Sequence, residues 1–170
     1  MPDKIDGWDF KNFSPQEFIC RCYEKCSHKN IDILDPRIPR IVQERRDELD
    51  IPITISSSLR CKNWNNSPAV GGSRNSFHVR GMAVDIAFED IDPIIEAAHW
   101  VLDREHFGGV IAYPERGFVH LDFGPGGSRD GGRRYYVSVG GKIHRPDFEE
   151  ARNAQAQENE KEKEDARTSA

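Results

Sequence analysis

The sequence has little of what membrane proteins, secreted proteins and nucleic-acid-binding proteins require. No apolar run approaches the length of a membrane span, so we expect no membrane insertion. Residues 1–6 lack the basic and apolar regions of a secretory signal peptide, which predicts synthesis in a cytoplasm. A net charge of −5 argues against nucleic acid as a partner. The 170 residues contain no internal repeat and suit one domain with a hydrophobic core.

Cysteine is scarce, and its four copies are unevenly distributed. Cys20, Cys22 and Cys26 fall within seven residues, and His28 follows two positions later. Thiolates and imidazole are the usual ligands of structural zinc, so these four residues could hold one ion. Two alternatives stay open from the sequence: reduced thiols without a metal, or a disulfide bond to the distant Cys61.

Caps and alternating residues predict a mixture of helices and strands. Ser14-Pro15-Gln16-Glu17 has the form of a capping box, and we interpret residues 9–28 as a short docking helix. Asp35-Pro36 and Asp92-Pro93 each predict the start of another helix. A long loop rich in turn-forming residues is expected at 60–76 and is typical of a functional segment. Strands are expected at 51–56, 82–88, 109–113, 117–123 and 134–139, the last returning through Gly140-Gly141.

The end of the chain differs in composition from the rest. Residues 149–170 contain no apolar side chain larger than alanine and are dense in charged and amide residues. Such a segment cannot bury a face, so it is expected to form a solvated helix or a disordered tail. We therefore divide the chain into a domain at 1–147 and a charged tail at 148–170, which could dock on a partner.

Two histidines and an aspartate have the spacing of a zinc site. His78 precedes a predicted strand on which Asp85 shares a face with two alanines, opposite the aliphatic residues. His120 lies on a later strand, again opposite the aliphatic face. If the two strands pair, the three side chains can hold zinc and leave one position open for water, as in a hydrolase. Singly, each has an ordinary explanation, such as a partly buried histidine or an ion pair between Asp85 and Arg80, but together they favour a metal.

The run Ser76-x-His78-x-x-Gly81-x-Ala83-x-Asp85 resembles the signature of the zinc D-Ala-D-Ala carboxypeptidase family. That family shares its fold with the hedgehog signalling domain. Weaker similarities to the family occur in the same order along the chain, at 53–60, Asn66, 70–72, 108–114 and 118–124. In all, the resemblance covers about residues 10–137. The resemblance implies an α+β fold, with an antiparallel sheet that carries the zinc on one face and helices packed on the other. It also implies that His78, Asp85 and His120 are the zinc ligands.

The resemblance further implies how substrate is bound, and it contains one departure. Arg60 and Ser76 are expected to hold a peptidoglycan stem peptide, with the Arg60 guanidinium facing a carboxylate. A surface ion pair is the alternative role for Arg60. Many family members place a catalytic Glu or Asp three residues before the last zinc histidine, where this chain has Gly117. The remaining candidates are Asp122, as general base or as the residue that orients a ligand histidine, and Glu115.

These features favour a zinc peptidase that cleaves peptide or D-Ala-D-Ala bonds in cell-wall peptides. Its small size and the absent signal peptide resemble phage lysis or virion enzymes, which reach the wall by release from the cell or as particle components. The second interpretation is a non-catalytic virion or assembly component that keeps the fold, with or without the zinc. Gly117 and the polar tail, as a docking segment for a virion partner, motivate it.

Overall fold

A computed structural model of the chain describes residues 7–23, 26–102, 108–125, 134–144 and 153. Within them the fold is α+β, as predicted. The helices are α1 (Pro15–Phe18), α2 (Arg37–Leu49), α3 (Lys62–Asn65) and α4 (Pro93–Leu102). The strands are β1 (Thr54–Ser57), β2 (Ala83–Ala87), β3 (Gly109–Tyr113), β4 (Phe118–Asp122), β5 (Arg134–Val139) and β6 (Lys142–His144). Among these helices, none combines the length and apolar character needed to cross a membrane.

The six strands form one sheet in the order β1-β2-β4-β3-β5-β6. All neighbouring pairs are antiparallel except β3 and β5, which run in the same direction. The register shows both directions at Gly109, the first residue of β3. It lies opposite Asp122, the last residue of the antiparallel β4, and opposite Arg134, the first residue of the parallel β5. The expected antiparallel sheet is thus confirmed, with one parallel pair added.

The two faces of the sheet differ in chemistry because side chains alternate along each strand. One row across the sheet is apolar and faces the core: Ile55, Ile86, Val119, Ala112 and Val137. The neighbouring row is Ser57, Asp85, His120, Ile111 and Tyr136. This second row places two of the predicted metal ligands directly opposite each other on adjacent central strands.

Strand β1 contains an irregularity that places its residues on both the apolar and the polar face of the sheet. Ile55 pairs with Ile86, but Ser57 pairs with Asp85, so β1 advances two residues while β2 advances one. One extra residue in a strand is a β-bulge, which re-aims the side chains beyond it. Ile55 therefore faces the core, while Ser57 joins the row of Asp85.

Helices cover the apolar face. Helix α4 packs against β3 and β4, and its Trp100 is fully buried. Asp92 caps this helix as predicted, because its Oδ1 accepts a hydrogen bond of 2.7 Å from the amide of Ile94. Helices α2 and α4 are joined by a buried ion pair, in which Arg45 donates to both oxygens of Glu96 at 3.0 and 2.7 Å. This two-point geometry satisfies both charges away from water.

The N-terminal helix is much shorter than predicted. The capping box forms, since the amide of Ser14 donates to Glu17 Oε2 at 2.6 Å, but the helix ends at Phe18 and Ile19 is extended. The predicted helix at 9–28 was therefore wrong beyond its first turn. Residues 60–76 also differ from the prediction, because they include the short helix α3. The boundary at 147/148 and, apart from residue 153, the predicted tail lie outside the described residues.

Candidate metal centre

The side chains of His78, Asp85 and His120 converge on one point. His78 lies on a 3-10 turn, Phe77–Arg80, which Gly81 ends with a φ of 70° before β2 begins. His78 Nε2 and His120 Nδ1 are 3.1 and 2.8 Å from Asp85 Oδ1, and the two nitrogens are 3.1 Å apart. Zinc bonds of about 2.0–2.1 Å in a tetrahedron place ligand atoms roughly 3.3 Å apart. The three atoms therefore fit around a zinc ion after a small outward relaxation.

Both imidazoles are oriented by acceptors on their far sides. His78 Nδ1 lies 2.7 Å from the carbonyl oxygen of Ser58, and His120 Nε2 lies 3.2 Å from Asp122 Oδ2. When both imidazoles are neutral, donation of these N–H groups outward leaves a lone pair on each nitrogen that faces Asp85. Carbonyl or carboxylate partners of this kind accompany metal-binding histidines and set their tautomer. Two imidazole nitrogens and one carboxylate oxygen also make a typical three-residue catalytic zinc set.

Arg60 contacts the metal-site carboxylate itself. Its Nη2 donates to Asp85 Oδ2, and its Nε donates to Ser57 Oγ at 2.7 Å. The pair is largely buried, with side-chain exposures of 13% for Arg60 and 5% for Asp85. Arg60 therefore forms an ion pair, although not the surface pair that was the alternative. Its Nη2 and Nε are directed at the protein, so the structure places Arg60 where it positions Asp85.

Asp122 is buried behind His120. Its Oδ2 faces His120 Nε2, and its Oδ1 accepts hydrogen bonds from the amide of Gly124 at 2.8 Å and from Arg134 Nη2 at 2.5 Å. It does not line the cleft described below. Gly109 provides the space for it, since a Cβ there would lie 2.5 Å from Asp122 Oδ2. Of the two roles left open by the sequence, this geometry favours the one that orients a ligand histidine.

Glu115 lies further from the centre. It is exposed, does not line the cleft, and its Oε2 accepts a hydrogen bond of 3.0 Å from the amide of Gly140. Gly117, at the position of the expected acid, ends the turn Pro114–Arg116 with a φ of 68°. That left-handed conformation suits glycine. Among the described residues, the only carboxylate that lines the cleft is Asp85.

The charges of the three candidate ligands are coupled. Burial opposes ionisation of Asp85, but the adjacent His78 and His120 outweigh it and hold its pKa well below its usual range. Burial lowers the pKa of His78. Burial also disfavours the charged form of His120, yet its hydrogen bonds with Asp122 and Asp85 raise its pKa to about 9. A metal ion that binds here must therefore displace a proton from His120.

The three residues lie in an open cleft of about 530 Å³. Ser76 lines it beside His78, and within the described residues its hydroxyl has no hydrogen-bond partner. Arg116 is an exposed lining residue whose guanidinium carbon lies 4.9 Å from the centre of the Phe118 ring. Tyr113 stacks on Phe118 with ring centres 4.6 Å apart. Burial and the negative charge of Asp85 raise the pKa of Tyr113, so its phenol stays neutral.

Sequence reasoning missed three of these residues. Arg134 lies twelve positions after Asp122 and outside the short motifs that carry the resemblance, the last of which ends at 124. Tyr113 ends β3 and Arg116 lies in the turn that follows. The face of the sheet on which Tyr113 lies is seen from its register opposite Phe118. Because Val110, Ile111 and Ala112 are all apolar, the sequence shows no alternation from which the face of Tyr113 could have been predicted.

The predicted cysteine–histidine site has a different composition in the structure. The thiols of Cys20, Cys22 and Cys26 cluster with that of Cys61. His28 does not belong to the cluster, because its Nε2 lies 2.8 Å from the carbonyl oxygen of Val79. The inclusion of His28 was therefore wrong. All four cysteines are free, so the suggested disulfide to Cys61 is not formed.

The comparisons with known proteins agree with this geometry. Among curated proteins, none matches the chain. The sequence model of the family Peptidase M15 matches residues 11–122, which is more than half of the chain and includes His78, Asp85 and His120. The chain therefore belongs to the peptidase M15 family, whose members are zinc-dependent metallopeptidases.

Proposed function

We propose that this protein is a zinc peptidase that hydrolyses bonds in bacterial peptidoglycan stem peptides. The observation that carries the proposal is the convergence of His78, Asp85 and His120, each held by a further partner, in an open cleft. Zinc at such a site supplies Lewis acidity, which polarises a carbonyl and lowers the pKa of a coordinated water towards roughly 7. Family membership supports a peptidase, and the choice of substrate rests on the resemblance and on the cleft.

The lining of the cleft suits a short peptide that carries carboxylates. Arg116 is exposed and has no carboxylate partner among the described residues, so we assign it to a substrate carboxylate. Its contact with Phe118 restricts the guanidinium before substrate binds. The hydroxyl of Ser76 can bond to the substrate backbone. Arg60 supports this binding indirectly, because it fixes the carboxylate of Asp85.

In this proposal, neither of the two carboxylates expected from the sequence acts within the cleft. Asp122 has both oxygens engaged, and Glu115 lies outside the cleft. Among the described lining residues, Tyr113 is the one neutral side chain with an ionisable O–H. We assign its Oη–H to hydrogen bonding with the oxygen of the scissile carbonyl, where negative charge develops during hydrolysis.

The test combines metal content with product analysis. Zinc-loaded protein is incubated with purified muropeptides, and products are identified by mass spectrometry. We expect a shortened peptide, whose mass tells whether a terminal residue or an internal bond was cut. His120→Ala is expected to lose zinc from this site together with hydrolysis, whereas the control Glu115→Gln keeps both. Full hydrolysis by the His120 variant would refute the proposal.

A second candidate function is binding without hydrolysis, as a component of a phage particle or its assembly. The observation that favours it is the lack, among the described lining residues, of any carboxylate besides Asp85. It predicts that zinc-loaded protein binds stem peptides and leaves them intact.

For either function, we propose that the protein reaches the cell wall by phage-type release or as part of a virion, with the tail at 148–170 as the docking segment.

A further inference from the structure

Four thiols form a second cluster away from the candidate active site. The sulfur atoms of Cys20, Cys22, Cys26 and Cys61 all lie within 4.8 Å of one another. The sulfurs of Cys22 and Cys26 are 3.3 Å apart, and no pair is joined by a disulfide. Zinc–thiolate bonds of about 2.3 Å in a tetrahedron place the sulfurs roughly 3.8 Å apart. The cluster therefore has the size of a single four-thiolate metal site.

We propose that Cys20, Cys22, Cys26 and Cys61 bind a structural zinc ion, separate from the site of the peptidase. Four protein ligands close the coordination sphere and leave no position for water, so this ion would not take part in hydrolysis. The thiols of Cys20 and Cys22 are buried, with exposures of 1% and 7%. Cys26 and Cys61 are half-buried, and four converging sulfurs without disulfides are more than packing of small apolar side chains requires.

The backbone around the cluster supports negatively charged sulfur. The amide of Cys61 donates to Cys20 Sγ at 3.3 Å, and the amide of Trp64 donates to Cys61 Sγ at 3.4 Å. Each bond directs a positive N–H dipole at a prospective ligand atom. Lys29 Nζ donates to the carbonyl of Cys22 at 2.8 Å and so places a cation against the same loop. Four thiolates and Zn²⁺ carry a net charge of −2, which this lysine partly offsets.

The ion would connect two distant parts of the chain at the edge of the cleft. Cys61 follows Arg60, which holds Asp85, and it also caps helix α3. Trp64 of that helix lines the cleft. Because the other three ligands come from residues 20–26, zinc would clamp the N-terminal segment to this wall. Binding free energy of a structural zinc ion is also folding free energy, which matters for a small domain.

The sequence suggested a different ligand set, and this allows a sharp test. The full-length protein is purified under reducing conditions, and its metals are counted by mass spectrometry. We expect two zinc ions per chain in the unmodified protein, and one in Cys61→Ser. The matched control is His28→Gln, which removes the imidazole and should keep both ions. If instead the His28 variant loses an ion and the Cys61 variant keeps two, the assignment is wrong.

A further variant distinguishes the two metal sites experimentally. His120→Ala should retain the cysteine-bound ion, and its cobalt-substituted form should show thiolate-to-cobalt charge-transfer absorption. The cobalt-substituted Cys61 variant should lack this absorption. A failure of the peptidase proposal would leave these results unchanged, because they do not depend on hydrolysis. Unmodified protein in which iron replaces zinc in the cluster, or whose mass shows disulfides, would overturn the assignment.

A measurement on unmodified protein covers the case in which the Cys61 variant does not fold. Native protein is treated with iodoacetamide before and after removal of metal by a chelator. We expect the four cysteines to be protected at first and to react after chelation. Rapid modification of all four in the zinc-loaded protein would refute a closed thiolate site.

Discussion

Replacement of Asp122 by asparagine tests the central geometric argument, because the two roles of this residue predict different outcomes. Asp122 Oδ2 accepts from His120 Nε2, while Oδ1 accepts from Gly124 and Arg134. In Asp122→Asn the amide oxygen should turn to the two strong donors, Gly124 and Arg134. The amide NH₂ then faces His120 Nε2, which must accept a hydrogen bond and shift its proton to Nδ1. That nitrogen is the proposed metal ligand.

The expected result is weaker zinc binding. Loss of the partner that orients a ligand histidine typically reduces metal affinity about 10–100-fold, or roughly 1.4–2.8 kcal/mol. The dissociation constant is measured by competition with a chromogenic chelator, and hydrolysis is then measured with zinc in excess. Most of the activity should return at saturating zinc, since Asp122 does not touch the cleft.

A general base would behave in the opposite way. If Asp122 were the base, the asparagine variant would bind zinc normally and lose roughly 100-fold or more in turnover. Unchanged zinc affinity with a permanent loss of turnover would therefore refute the orienting role. Glu115→Gln serves as the control, because that carboxylate is exposed and should affect neither quantity.

Three further perturbations follow from the structure. Gly109→Ala would place a Cβ 2.5 Å from Asp122 Oδ2 and should lower zinc affinity roughly tenfold by displacing that carboxylate; unaltered affinity in the same chelator assay would contradict this. Arg116→Gln should raise KM roughly tenfold with little change in kcat, since a charge-assisted hydrogen bond of about 1.5 kcal/mol is lost; a lower kcat at constant KM would show a different role. Glu96→Ala should destabilise the fold by about 3–5 kcal/mol in urea unfolding, because the largely buried Arg45 keeps only a 3.4 Å contact with the exposed Glu48. The double change Arg45→Met with Glu96→Leu should recover most of this stability, and equal losses in the two variants would be inconsistent with a desolvated pair.

Local patterns in the sequence predicted the strands that carry the metal site. The alternation around Asp85 and His120 correctly placed both side chains opposite the aliphatic core, whereas the pairing of β2 with β4 was a condition that only the structure could supply. The start of helix α4 at Asp92 was also visible, because a cap is a property of a few neighbouring residues. Each of these features depends on interactions within one turn or one strand.

Features that depend on distant residues could not be predicted in this way. The choice of Cys61 over His28 depends on how two segments about forty residues apart meet. The role of Asp122 was undecided because Arg134, which occupies one of its oxygens, belongs to the strand added in parallel at the edge of β3. The length of the N-terminal helix was overestimated, since after Phe18 the backbone bonds to distant residues: the carbonyl of Phe18 accepts from the amide of Leu59, and the amide of Cys20 donates to the carbonyl of His28.

The bulge in β1 allows the residues on the core face and those on the cleft face of this strand to vary independently. In an uninterrupted strand, Ile55 and Ser57 would lie on the same face. A substitution at position 57 would then have to fit the core around Ile55. The extra residue gives Ser56 and Ser57 a place on the cleft while Ile55 remains in the core. The lining of the cleft can therefore be altered at Ser56, by evolution or by engineering, without repacking the interior beneath it, whereas Ser57 is tied to Arg60.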